Sequence, residues 1–215
     1  MNIYLIRHGR QNSRLCNVNV PLSSLGREQA ELVGKRLAFY NIDGLYSSDL
    51  IRAVETADII KSQIQTIYTS SNLHHEIREG IREIDFGELE GKSDEVIYTD
   101  YASFMNEKDK MLEDLPYPDG ECGLDVFKRA MPVINEIAHS GRKNVVVVSH
   151  GGTIRSLLAG LLGLDQSKMR LFGDGLENCS ITQLHYNEEK NRYYVQGFND
   201  YAHLEQNAAL LRKNW

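Results

Sequence analysis

Cysteine is scarce in this sequence and scattered along it. Cys16, Cys122 and Cys179 are odd in number and form neither a CxxC pair nor a disulfide framework, so a reducing, cytoplasmic setting is expected. Long apolar runs are absent, and no charged-then-apolar leader precedes the first hydrophobic stretch, so no membrane partner is expected. Cations are outnumbered, with 24 Lys and Arg against 30 Asp and Glu and a net charge of -6. No nucleic-acid partner is suggested, and a site for a negatively charged small molecule must be locally basic against this background. The GxxxxGK[ST] loop and the GxGxxG fingerprint are both missing, as are internal repeats and low-complexity segments.

What is present has the balance of a globular chain, 41% hydrophobic and 25% charged. Its 215 residues suffice for one α/β domain with a sizeable core, expected to span 1–215. Asn2-Ile3-Tyr4-Leu5-Ile6 reads as a buried strand that stops at Arg7-His8-Gly9. Arg10 to Pro21 is a polar loop, and Arg27 to Phe39 an amphipathic helix capped near Ser23 or Ser24. Leu45-Tyr46-Ser47 is a short strand; Leu50 to Gln63 is a second helix, with Ser47-Ser48-Asp49 offering its cap. Ile67 to Leu73 reads as another strand. A helical excursion follows at about 80–120, placed to cover a site. Leu124 to His139 is a helix in which Pro132 predicts a kink or a late start. Asn144 to Ser149 holds four consecutive valines, the mark of a central parallel strand, and stops at His150-Gly151-Gly152 before a helix at Thr153 to Leu162. Glu177 to His185 and Arg192 to Gly197 pair as a hairpin, and a short helical pattern lies near Leu204 to Leu211. The alternation predicts a three-layer α/β/α sandwich with a mostly parallel central sheet.

Ligands of α/β proteins bind just beyond the carboxyl ends of the strands. Two strands of this chain end there in His followed by Gly. Arg-His-Gly alone equally fits a strand end with a surface Arg and His; the second ending, far along the chain, singles it out. Gly151 and Gly152 let the backbone approach a ligand, and the helix they open offers free N–H groups to an anion. Arg52 falls in the first turn of its helix, where the dipole disfavours a cation unless an anion lies between them. A phosphoryl group meets these demands. A phosphate monoester carries about two negative charges, and opposite charges ~4 Å apart near a surface attract by roughly 4 kcal/mol. Arginine's fork matches two phosphate oxygens. A neutral imidazole is a competent nucleophile, and a carboxylic acid nearby can protonate the departing alkoxide.

Longer motifs make the pattern specific. Leu5-Ile6-Arg7-His8-Gly9 is similar to an RHG signature, Pro21-Leu22-Ser23 with Gly26 and Gln29-Ala30 to PLTxxGxxQA, and Ser47 to Ala53 with Thr56-Ala57 to SSDLxRAxxTA. Arg82 to Gly87 with Glu90-Gly91, Pro118 to Cys122, Val148 to Gly152, Asn178 to Thr182, and Asn199-Asp200 with His203-Leu204 continue the series in order. By these segments the chain resembles the histidine phosphatase superfamily, the phosphoglycerate mutase-like fold, over nearly its whole length. The resemblance implies a nucleophile at His8 forming a transient phosphohistidine. It implies that Arg7, Arg52 and His150 hold the phosphoryl oxygens, and that Glu83 is the general acid and then the base. It implies no metal and no cofactor. His74, His75, His139, His185 and His203 are expected to be surface or structural.

Four positions depart from the family pattern, one of them Cys122, which stands where a serine is usual. Arg10 and Gln11 follow the opening motif where Glu-Thr or Gln-Thr is usual, and Arg14 aligns with a commonly phosphate-contacting asparagine. Asn12 or Asn17 are candidate replacements, and Arg10 and Arg14 candidate contacts for a more anionic substrate. The expectation is a metal-independent phosphomonoesterase, a hydrolase of the histidine acid phosphatase type, acting on a small phosphorylated metabolite. The alternatives are a cofactor-dependent phosphoglycerate mutase, against which the short acidic segment from Glu83 to Gly120 argues, and a non-catalytic phospho-ligand module. Leu171-Phe172 and Trp215 are candidate contacts of a homodimer.

Overall fold

The computed structural model describes residues 1–68, 73–173 and 175–212. Strands β1 (Asn2–Arg7), β2 (Gly44–Ser47), β3 (His75–Ile77), β4 (Asn144–Ser149), β5 (Ile181–Asn187) and β6 (Arg192–Asp200) form one sheet in the order β3-β2-β4-β1-β5-β6. The first four of that order are mutually parallel; β5 runs antiparallel to both β1 and β6. The helices are α1 (Ser24–Leu37), α2 (Ile51–Ile67), α3 (Asp94–Asp100), α4 (Ala102–Asp109), α5 (Gly123–Ala138) and α6 (Gly151–Leu161).

Strand alternation sorts the core into two layers. Tyr4, Ile6, Val146 and Val148 pack with Ala30, Val33, Ala57 and Ile60 of α1 and α2. Ile3, Leu5, Val145 and Val147 pack with Ala130, Ile134, Ile154 and Leu157 of α5 and α6. Each Val, Leu or Ile side chain so removed from water contributes roughly 1.5–3 kcal/mol, and a slip of one residue would exchange the two faces. This is the three-layer α/β/α sandwich with a mostly parallel sheet. The register pairs Arg7 with Ser149, so β1 and β4 end side by side and deliver His8 and His150 to the same edge.

Several local readings change. The Ser23 hydroxyl caps α1 by accepting from Gly26 N. The second helix has no side-chain cap: its N-cap is Leu50, because Ser48 and Asp49 are engaged elsewhere. That helix runs past Gln63 to Ile67, because Ile64 extends the buried stripe of Ala53, Ala57 and Ile60 by a turn. Ile67 is therefore helical, residues 69–72 of the expected Ile67–Leu73 strand lie outside the described residues, and the strand forms at His75–Ile77. Helix α5 does not start late, since its buried positions Val126, Ala130, Ile134 and Ile137 run past Pro132 without using it. The chain from Glu177 to Ser180 is a turn and not strand; Cys179 has φ 56 and its N–H reaches Arg7 O. The final segment forms 3₁₀ turns at Ala202–Leu204 and Ala208–Leu210, and Leu204, Leu210 and Leu211 pack against Leu25 and Leu32 of α1. Leu171 is exposed and Phe172 lies against Phe198, while Trp215 lies outside the described residues.

Between β3 and α5 the chain carries α3 and α4 and a small core, in which Leu89, Ile97 and Met105 pack with Phe86, Phe104 and Tyr117. One close approach explains two motif glycines. A Cβ on Gly9 would stand 2.5 Å from Gly26 O, and one on Gly26 would stand 2.1 Å from Arg10 O. The loop after β1 and the start of α1 can meet only because neither residue has a side chain.

Candidate active site

At the end of β1, the His8 ring is held by its own loop. Its Nδ1 lies 2.7 Å from Gly9 O, and a carbonyl can only accept, so the proton sits on Nδ1. The other nitrogen, Nε2, then carries the lone pair, and Arg52 Nε donates to it at 3.2 Å. Burial, with Arg52 and Arg7 adding, holds the His8 pKa well below 6.5, so the ring is neutral. The backbone beside it is pinned: Gly9 N–H donates to Thr56 Oγ1 at 3.0 Å, and Asn178 Nδ2 to His8 O at 2.7 Å.

Arg52 is buried in the first turn of α2. Besides His8 it donates to Val18 O at 3.1 Å and Asn17 Oδ1 at 2.6 Å. Asn17, in the left-handed region at φ 46, therefore steadies the arginine; Asn12 does not line the cavity. Arg7 donates to Leu176 O, while its Nε is buried without a partner. Burial, with Arg212 adding, lowers the Arg7 pKa to about 9.

His150 is fully buried behind His8, with ring centroids 5.0 Å apart. Its Nε2 lies 2.6 Å from Ser48 Oγ, and its Nδ1 is buried without a partner. Burial, with Arg52 and His8 adding, keeps this ring neutral as well. Glu83 reaches the site from the loop after β3. Its carboxylate accepts from Ile84 N at 3.0 Å and from Gly152 N and Thr153 N, both at 3.3 Å, at the start of α6. Arg129 of α5 fixes that loop by donating to the carbonyls of Gly80, Arg82 and Glu83 at 2.8–3.0 Å. Glu121 pairs with Arg129 at 2.7 Å and accepts from Asp85 N at 3.0 Å.

These side chains surround a cavity of about 400 Å³ lined by Arg7, His8, Arg10, Arg14, Arg52 and Glu83. Gly151 does not reach it and lines an adjoining cavity instead. Seven of the expected site residues thus converge on two connected spaces, with His150 directly behind them. Sequence reasoning missed Asn178, Ser48, Glu121, Arg129 and the Arg212 guanidinium that stands near Arg7. Asn178, Ser48 and Glu121 lie inside quoted motifs, so a signal existed; Arg129 and Arg212 carried none. His75 is not isolated either, bridging Asp58 at 2.9 Å and Ser47 Oγ at 2.7 Å. Among the described residues no group of three or more His, Cys, Asp and Glu is placed to hold a metal ion; the site presents cations and N–H donors. Nor is any described helix long and apolar enough to cross a membrane.

The chain is similar to known proteins over most of its length. The chain is 27% identical over 214 residues to a probable phosphoglycerate mutase of Proteus mirabilis, covering 95% of each chain. It is 27% identical to a putative phosphoserine phosphatase 2 of Hydrogenobacter thermophilus, covering 88% of this chain and 91% of that one. Among solved structures, a mycobacterial glucosyl-3-phosphoglycerate phosphatase with inorganic phosphate superposes with a TM-score of 0.81 at 27% identity, covering 94% and 98% of the two chains. The family profile of the histidine phosphatase superfamily (branch 1) matches residues 3–200. With two histidines at adjacent parallel strand ends and that match across the sheet, the chain belongs to the histidine phosphatase superfamily.

Proposed function

We propose that the protein is a phosphomonoesterase that works through a phosphohistidine. The observation that carries this reading is the His8 tautomer: a neutral ring, its Nδ1 proton given to Gly9 O, its Nε2 lone pair facing two arginines and a carboxylate in one cavity. In the first step Nε2 forms a bond to phosphorus as the bond to the alcohol oxygen breaks. Glu83, entering this step in its protonated form, gives that oxygen its proton and is left as the carboxylate. Arg7 and Arg52 take the charge on the phosphoryl oxygens, with Arg52 turning its donors from His8 Nε2 to the incoming group. His150, accepting from Ser48 at Nε2, presents its Nδ1–H as a further donor. In the second step Glu83, now a carboxylate, takes a proton from water as the water oxygen bonds to phosphorus. The P–N bond breaks, inorganic phosphate leaves and His8 returns neutral. Arg10 and Arg14 line the same cavity and would add contacts to a small, strongly anionic metabolite. Free thiols at Cys16, Cys122 and Cys179 suit a reducing compartment.

The test is hydrolysis of para-nitrophenyl phosphate, with EDTA, by the wild type and His8→Ala. Turnover that vanishes in the variant is the expected result; equal turnover in both overturns the assignment. A mutase, the activity in the name of the Proteus mirabilis relative, would instead interconvert phosphoglycerates and depend on a bisphosphate. Absence of that dependence separates the two.

A further inference from the structure

Glu90, exposed at the base of the excursion, belongs to a sequence motif but takes no part in the two steps above. Its hydrogen bonds connect it to them. In the reaction Arg52 has to leave His8 Nε2 and meet the phosphoryl oxygens without carrying its charge out of the cavity. Its Nε supplies the mobile contact, to His8 at 3.2 Å. Its other two nitrogens supply the fixed ones, Nη1 on Val18 O at 3.1 Å and Nη2 on Asn17 Oδ1 at 2.6 Å. A guanidinium only donates, so Asn17 has to present its oxygen, although an amide offers oxygen and nitrogen in nearly the same shape. Glu90 makes the choice: Asn17 Nδ2 donates to Glu90 Oε1 at 2.6 Å, and a carboxylate only accepts. An unbroken chain of side-chain hydrogen bonds, Glu90 to Asn17 to Arg52 to His8, thus ends on the nucleophile.

The backbone keeps this chain in register. Cys16 N–H donates to Lys92 O at 2.9 Å and Gly91 N–H to Cys16 O at 2.8 Å, and Phe86 N–H donates to Glu90 Oε1 at 3.3 Å. Asn17 lines the reaction cavity and also a neighbouring cavity of about 360 Å³, in which Glu90 stands. The neutral amide therefore separates the Glu90 carboxylate from the place of the phosphoryl group. Glu90 still acts on the arginine: burial lowers the Arg52 pKa, while Glu83 and Glu90 raise it. A carboxylate bonded to Arg52 itself would pair off the guanidinium and repel an incoming dianion.

We propose that Glu90 is a positioning residue that acts through Asn17: it fixes the pivot on which Arg52 swings from His8 to the phosphoryl oxygens, and the amide between them holds the cation without neutralising it. The proposal rests on the phosphatase reading of the site.

The experiment is steady-state hydrolysis of para-nitrophenyl phosphate by the wild type, Glu90→Leu, Glu90→Gln, Asn17→Gly and the double variant of Asn17→Gly with Glu90→Leu, with melting temperatures read alongside. Glu90→Leu removes the acceptor and is expected to lower kcat about tenfold with KM within about threefold. Glu90→Gln keeps an oxygen for Asn17 and should hold kcat within about threefold of the wild type. Glycine accepts the left-handed backbone at position 17, and in that background Glu90→Leu should cost less than about twofold more, because the relay is already cut. Asn17→Asp, which keeps the size of the side chain, should raise the inhibition constant of inorganic phosphate about tenfold, and it carries the test by itself if Glu90→Leu folds poorly. The relay is overturned by a kcat for Glu90→Leu within about twofold of the wild type, by a Glu90→Gln as slow as Glu90→Leu, or by the same tenfold loss in the Asn17→Gly background. An unchanged phosphate inhibition constant in Asn17→Asp overturns it as well. All of these leave the phosphatase reading intact, whereas a wild type that does not turn the ester over overturns that reading and the relay with it.

Discussion

Lowering the pH should unfold this protein through histidines that cannot accept protons while folded. His8 and His150 are buried, and burial with nearby arginines holds both far below 6.5. Burial, with Arg36 adding, lowers His203 to about 4; its Nε2 lies 3.0 Å from Cys179 O and its Nδ1 3.3 Å from an Arg36 nitrogen. In the unfolded chain all three regain a pKa near 6.5. A depressed folded value means that the unfolded state binds more protons in acid. The stability from these rings is therefore complete above about pH 6.5 and is lost as pH falls toward the folded values. Each such ring costs about 1.4 kcal/mol per pH unit, so the three together give a slope of about 4 kcal/mol per unit between pH 6 and 5. A typical domain has only about 5–15 kcal/mol to lose. Asp200, held at about 2 by its hydrogen bonds from Arg36, adds its own loss only below about pH 3.8, outside this window. Urea titrations at half-unit steps from pH 7.5 to 5 would read the slope, and His203→Gln should remove about a third of it. A slope under 1 kcal/mol per unit would mean that the rings protonate normally in the fold, and the neutral His8 on which the mechanism depends would be lost with it.

Two other substitutions probe the scaffold. Arg129→Met removes the donors to three carbonyls of the Glu83 loop and leaves Glu121 without its cation; we expect roughly 2–3 kcal/mol lower stability. Steady-state kinetics should show kcat down more than tenfold with KM within about threefold, and a loss confined to KM would remove Arg129 from the positioning of the acid. Gly26→Ala places a Cβ 2.1 Å from Arg10 O, against backbone that cannot yield cheaply. It should cost about 2–3 kcal/mol, read as a melting temperature lower by roughly 5–10 °C, and an unchanged melting temperature would show that the loop after β1 moves freely.

The fold was legible wherever a periodic apolar pattern coincided with a short connection. The four valines of β4 and the alternation of Ile3, Tyr4, Leu5 and Ile6 place the central strands without ambiguity, because both faces must be covered. Reading failed at segment ends. Ile67 looks like strand because it is β-branched, yet Ile64 one turn earlier is buried and the helix continues through it. Ser48 looks like a helix cap, yet its hydroxyl is taken by His150 across 102 residues of chain. Glu177 to Ser180 alternates like a strand but turns so that Asn178 can hold His8 O.

The sequence by itself determined the layered α/β architecture, the two His-ended strands and the residue types of the site, because periodicity and motif order are local properties of the chain. Tertiary structure alone decided the rest. Pairing β1 with β4 makes neighbours of residues more than 140 apart; the carbonyl of Gly9 selects the His8 nitrogen that can react. Arg129 reaches back across the fold to fix the Glu83 loop, and Arg212 stands near enough to Arg7 to lower its pKa. Such contacts depend on distance in space and on exclusion of water, and neither is written in the spacing of residues along the chain.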